Sequence, residues 1–82
     1  YLKYVKQVAD EVPFDDLRIG DFLLYQYGRC ISHGAVYVGN NLVVHAFVDL
    51  GVIYSSIDDV LFYDAKGKSR LRAVYRFRKG GK

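Results

Sequence analysis

Consecutive apolar runs between Phe22 and Ser56 are joined by connections too short to hold a crossover helix, and this confines the chain to an antiparallel sheet. The runs are "FLLYQY" (Phe22–Tyr27), "HGAVYVG" (residues 33–39), "LVVHAF" (Leu42–Phe47) and "GVIYSS" (Gly51–Ser56). A parallel pair needs a dozen or more connecting residues, roughly, whereas an antiparallel pair closes through about two. The tightest connection is Asn40-Asn41, set between two β-branched runs. Asparagine tolerates the left-handed backbone that tight hairpin turns demand, so this stretch reads as a β-hairpin. Gly20 and Gly28 bound the first run, which reads as a buried strand.

The two ends add one element each. At the start, "YLKYVKQVADEV" sets Leu2, Val5, Val8 or Ala9, and Val12 at helical spacing, with charged and polar residues between them. The spacing predicts an amphipathic helix over residues 2–12, stopped by Pro13, because the residue before a proline is pushed out of the helical region. Near the end, "RLRAVYRFR" alternates: Leu71, Ala73, Tyr75 and Phe77 share one face, while Arg70, Arg72, Arg76 and Arg78 line the other. In "SIDDVLFYD", Ser56 can cap a short helix with Asp58 and Asp59 in its first turn. The expected fold is α+β: an N-terminal helix plus an antiparallel sheet of about five strands, curved or closed into an open barrel. Residues 1–82 are expected to form a single domain, with 79–82 as a frayed basic tail.

Composition agrees with a folded, β-rich domain. Hydrophobic residues make up 51% and aromatics 16%, with a single proline, which argues against disorder. No apolar run approaches the roughly 20 residues that span a bilayer as a helix, and no charged-then-apolar leader is visible. The first residue is Tyr1 rather than methionine, as expected of a trimmed or processed chain. Charge is segregated: four basic residues stand among all nine acids before Lys66, and eight basic residues with no acid follow. A basic end of this kind suits a solvated face, or contact with nucleic acid or another anionic polymer.

Both histidines, His33 and His45, fall on the hairpin. Whether they meet depends on register, because a one-residue slip turns every side chain to the other face. A two-residue loop at Asn40-Asn41 with regular pairing opposes Gly39 to Leu42 and puts the imidazoles on opposite faces. An odd loop over residues 39–41, or an equivalent bulge, pairs His45 with Ala35. It brings the histidines to a diagonal of roughly 7–8 Å at the backbone. The odd register or its bulged equivalent is the expected one. A histidine near neutral pKa serves as a general base when a second group holds its tautomer and ring orientation. The same pair is also compatible with a purely structural role. A zinc site would need further ligands from carboxylates, since no third histidine exists, and no metal or cofactor is expected. Cys30 is the sole cysteine, so no disulfide forms within the chain. It lies three residues before His33, which in a regular strand points the two to opposite faces, and only a tight turn through Ile31-Ser32 would bring them together. Cys30 is therefore the weaker candidate for a nucleophile, and burial as a small hydrophobe is the commoner fate of a lone cysteine.

Three stretches carry a resemblance. Gly20-Asp21-Phe22, Ser32-His33 through Val38-Gly39-Asn40, and Val44-His45-Ala46 occur in the order and spacing of the C-terminal half of the NlpC/P60 family of papain-like cysteine peptidases. Ala35 and Asn41 stand where that pattern usually has glycine. The resemblance implies a papain-like half-domain in which His33 deprotonates a nucleophilic thiol and His45 holds the His33 imidazole. It implies peptidoglycan peptides as substrate, cut through an acyl-enzyme, and a cell-envelope, secreted or virion-associated location. Some members ride on phage tails, and the basic ending "GKSRLRAVYRFR" is similar to theirs. In the family the catalytic cysteine opens a helix some fifty residues before the base, which would lie upstream of Tyr1.

Three readings stand open. The chain is the C-terminal part of a peptidoglycan endopeptidase or amidase whose nucleophile lies outside it. Or it is a non-catalytic module that binds a peptide, a glycan or a protein partner. Or its end from Arg70 to Lys82 binds nucleic acid through stacking and phosphate contacts, although aromatics facing away from the arginines read better as core. A sheet without covering helices would also favour a homodimer through its exposed face or edge.

Overall fold

The computed structural model describes residues 6–47 and 50–78. Among the described residues six strands form one antiparallel sheet: β1 (Ala9–Val12), β2 (Phe22–Tyr27), β3 (Cys30–Gly39), β4 (Leu42–Phe47), β5 (Gly51–Ser56) and β6 (Leu71–Phe77). Their order is β1-β6-β2-β3-β4-β5, so the chain runs as a meander from β2 to β5 and returns β6 to the far side of β2. Among the described residues, two single-turn 3-10 helices, Phe14–Asp16 and Val60–Phe62, are the helical elements besides residues 6–8.

This overturns the expectation of an N-terminal helix with about five strands. Residues 1–5 of the expected helix lie outside the described residues; residues 6–8 are helical, but Ala9–Val12 is strand β1. It pairs with β6 in the register Ala9↔Phe77 to Val12↔Val74. Over four residues, helical spacing and strand alternation barely differ, so the decision passes to tertiary partners. Strand β6 has an open edge opposite β2, and β1 covers it. Ala9 is buried with Leu24 and Tyr75, and Arg78 reaches Asp10 at 2.8 Å.

The sheet has two apolar faces. On one, Leu23, Tyr25, Ala35, Val43 and Val74 form the main core beneath Phe62, which the loop after β5 folds over them. Phe62 stacks on Tyr25 with centroids 4.4 Å apart. The turn that delivers Phe62 is capped by Asp59, whose carboxylate accepts from Leu61 N at 2.9 Å, rather than by Ser56. On the other face Leu24, Tyr75 and Ala9 are buried, while Val36, Val52, Tyr54 and Phe77 remain exposed. Strand β6 departs from simple alternation. A bulge at Arg72 sends Leu71 toward the main core, and Val74, on the arginine face, is buried there. Among the described residues no helix is long and apolar enough to cross a membrane.

Asp21 locks β2 to β6. It is 2% exposed and accepts from Arg76 through two guanidinium nitrogens, each at 2.9 Å, and from the backbone N–H of Arg18 at 2.9 Å. Burial alone would push its carboxyl up, but the Arg76 and Arg18 hydrogen bonds and their charges hold it below the usual carboxylate range.

Candidate active site

The hairpin of β3 and β4 turns through Asn40 and Asn41, with φ of 54° and 61°. Both central residues are left-handed, as a two-residue primed turn requires. Gly39 opposes Leu42, the pairing of the short loop. A bulge at Val38 then shifts the register, so that Tyr37 opposes Val43, Val36 opposes Val44 and Ala35 opposes His45. The turn is the two-residue one, and the bulge supplies the extra residue that the odd loop would have supplied. His45 lands on the face of His33.

The two imidazoles meet. His33 Nε2 lies 2.8 Å from His45 Nδ1, and the rings cross at 88°. Both sit on the main-core face. His33 is half-buried, with its ring edge-on to Tyr27 at 5.6 Å and tilted against Tyr25 at 6.2 Å. His45 is 4% exposed and packs on Phe62 at 5.1 Å. Its second nitrogen, Nε2, lies 2.8 Å from the hydroxyl of Ser55 on β5. Ser55 carries no motif signal in the sequence. It enters because β5 pairs with β4, a juxtaposition that its spacing from His45 does not announce.

Electrostatics keep the pair neutral. Burial pushes the His33 pKa below its ordinary 6.5, and the neighbouring His45 adds to this because two imidazolium charges would repel. Burial likewise lowers His45, against a smaller upward pull from the Asp59 carboxylate. A neutral imidazole that accepts a proton next to a fixed partner is suited to general-base work near neutral pH.

The surroundings are aromatic. Tyr27 donates its hydroxyl to the Leu61 carbonyl, and the Arg70 guanidinium lies 4.5 Å over its ring. Arg70 also donates to the carbonyls of Tyr63 and Gln26. Burial raises the Tyr25 hydroxyl far above its ordinary value, so that side chain stays protonated. An open cavity of about 300 Å³, lined by Phe14, Tyr25, Phe62, Tyr63 and Leu71, adjoins this wall.

Cys30 opposes Tyr27 near the β2–β3 turn and is exposed. A second bulge, at Ser32, separates the pairs Gln26↔Ile31 and Tyr25↔His33. It breaks the alternation that would have sent Cys30 and His33 to opposite faces. Cys30 shares the His33 face, because Tyr25 and Tyr27, which they oppose, point the same way. Among the described residues no group of three or more His, Cys, Asp or Glu side chains gathers as a metal site would require.

Comparison with known proteins gives concordant matches. The family model described as "NlpC/P60 family" matches residues 2–71. The Murein DD-endopeptidase MepS/Murein LD-carboxypeptidase of Escherichia coli (strain K12) is 37% identical over 54 residues. That match covers 66% of this chain and 29% of the relative, and the protein of the same name from Escherichia coli O157:H7 matches equally. The chain therefore spans less than a third of the length of these relatives.

Proposed function

The chain belongs to the NlpC/P60 family, and from that membership we propose that it is the part of a cell-wall cysteine peptidase that carries the general base, His33, and the group that orients it, His45. The observation that supports this reading best is the 2.8 Å contact between His33 Nε2 and His45 Nδ1. It occupies one nitrogen of the base and directs the other away from its partner. In the proposed reaction, His33 takes the proton of a cysteine thiol and the thiolate attacks an amide carbonyl of a peptidoglycan peptide. The imidazolium then returns its proton to the departing amine. A water, deprotonated in turn by His33, releases the acyl group. The similarity to a murein endopeptidase supports peptidoglycan as substrate class, and the aromatic cavity beside Tyr25 offers room for a peptide chain.

We assign the nucleophile to a cysteine outside these 82 residues. The test is direct: the gene upstream of the Tyr1 codon should encode a cysteine opening a helix. Protein carrying it should cleave purified muropeptides, and His33→Ala should slow cleavage by about 10²–10⁴-fold. Undiminished cleavage by His33→Ala would sink the reading. The bulge at Ser32 brings Cys30 to the His33 face and so admits a variant in which Cys30 is the nucleophile. That variant requires hydrolysis by the 82-residue chain itself, lost on Cys30→Ala. A second reading, a non-catalytic module that holds a peptide or glycan, draws on the same cavity. It is distinguished by muropeptide binding without turnover in protein that carries the upstream segment.

A further inference from the structure

We propose that Ser55 is a positioning residue for the histidine pair: its hydroxyl oxygen accepts the Nε2 proton of His45 and thereby leaves the basic lone pair of His33 on Nδ1. The proposal rests on the reading of His33 as base and adds the residue that makes that reading chemically directional.

The three groups form one line, Ser55 Oγ to His45 Nε2 at 2.8 Å and His45 Nδ1 to His33 Nε2 at 2.8 Å. A neutral imidazole has one donor and one acceptor nitrogen, so protons can be ordered along such a line in only two ways. In one, Ser55 donates to His45 Nε2, His45 donates from Nδ1 to His33 Nε2, and the proton of His33 sits on its Nδ1. That nitrogen is then a donor and takes no proton. In the other, His33 donates from Nε2 to His45 Nδ1, and His45 donates from Nε2 to Ser55 Oγ. His33 Nδ1 is then unprotonated and basic. Only the second ordering survives protonation of His33, because an imidazolium needs an acceptor at Nε2 and finds one in His45 Nδ1. A base working in the second ordering gains and loses its proton with no rearrangement behind it.

Ser55 supplies the acceptor that this ordering needs. His45 is 4% exposed and Ser55 7%, so water is a poor substitute for the hydroxyl. With alanine at position 55 the Nε2 proton of His45 would be buried without that acceptor, a costly arrangement. The cheaper outcome is for His45 to carry its proton on Nδ1 and donate to His33, which moves the proton of His33 to Nδ1 and removes the base. Ser55 thus acts through His45 and touches no substrate. Its place on β5, opposite Val43, explains why it lies behind the pair rather than in front of it.

The experiment is ¹⁵N nuclear magnetic resonance of the histidine side chains in the 82-residue chain at pH 8, where both are neutral. Wild type should show both histidines protonated on Nε2. Ser55→Ala should shift His45, and with it His33, toward the Nδ1-protonated form, and Ser55→Thr, which keeps the hydroxyl, should restore the wild-type pattern. His45 protonated on Nδ1 in wild type would overturn the proposal with no variant required. So would an Nε2 pattern that Ser55→Ala leaves unchanged. Should Ser55→Ala fail to fold, Ser55→Cys replaces it, since a thiol keeps the volume and is a weak acceptor; it should loosen the tautomer in the same direction, and an unchanged pattern again overturns the idea. None of these readouts needs turnover, so a failure of muropeptide cleavage would count against the peptidase reading alone.

Discussion

At the scale of single residues, this protein holds ionisable groups away from their ordinary behaviour in two places, and the two act in separate pH windows. His33 and His45 have folded-state pKa values below the ordinary 6.5, chiefly through burial. Above that value both folded and unfolded chains are neutral there, and the histidines leave stability unchanged. As pH falls below 6.5 the unfolded chain takes protons first, so stability drops until the folded histidines also protonate. Urea unfolding between pH 7 and pH 5 should show this loss, and the double variant His33→Gln/His45→Gln should flatten it. Asp21 works lower. Its pKa is depressed below the ordinary 3.8, so its contribution is present above that value and disappears as pH falls through the folded pKa. At neutral pH, Asp21→Asn removes the buried carboxylate that accepts from two Arg76 nitrogens and leaves the guanidinium with its contacts to Asp16. A measurable loss of stability in urea denaturation is expected, smaller than for a fully buried pair because Arg76 is partly solvated. The histidines stood out by residue type and spacing, whereas Asp21 stood out only within the Gly20-Asp21-Phe22 stretch and its pairing with Arg76 did not. Ser55 did not stand out either, since a serine in a strand signals nothing until the neighbouring strand supplies an imidazole.

At the scale of elements, two bulges decide more than any strand. Without the bulge at Val38 the Asn40-Asn41 turn would separate the imidazoles, and without the one at Ser32 Cys30 would face away from His33. Bulges leave little trace in a sequence because an inserted residue looks like any other residue of the run, whereas turns announce themselves by composition. The turn itself is strained for ordinary residues, with Asn41 at φ 61°. Asn41→Ala should cost about 1 kcal/mol and Asn41→Gly should leave stability unchanged or raise it, as thermal unfolding followed by circular dichroism would register. Strand β1 teaches the converse. The residues around Ala9–Val12 satisfy a helical pattern, yet the open edge of β6 claims them as strand, and β6 offers Arg78 to Asp10 as well. The segregation of charge along the chain is in part undone by β6 and the residue that follows it, since Arg76 meets Asp16 and Asp21 and Arg78 meets Asp10. That internal use of the basic end weakens the reading of it as a nucleic-acid surface.

At the scale of the whole molecule, a chain of 82 residues buries only roughly 60% of its unfolded surface, and its stability rests on few side chains. Leu23 is fully buried at the centre of the main core, whereas Val52 on β5 is 73% exposed. Leu23→Ala should cost about 3 kcal/mol and Val52→Ala less than about 0.5 kcal/mol, a contrast that chemical denaturation of the two variants would measure. The histidine site lies on the face that holds this core, so the packing of Phe62 and Tyr25 also steadies the imidazoles. What the sequence by itself determined was the antiparallel sheet, the hairpin at Asn40-Asn41 and the presence of two histidines upon it. These follow from local properties: short connections, turn-tolerant asparagines and β-branched runs. What only the tertiary structure decided was which way β1 would fold, which residue each bulge would absorb and that Ser55 would stand behind His45. Each of these depends on a partner distant in sequence, and local spacing carries no information about which strand edge will be open to receive it.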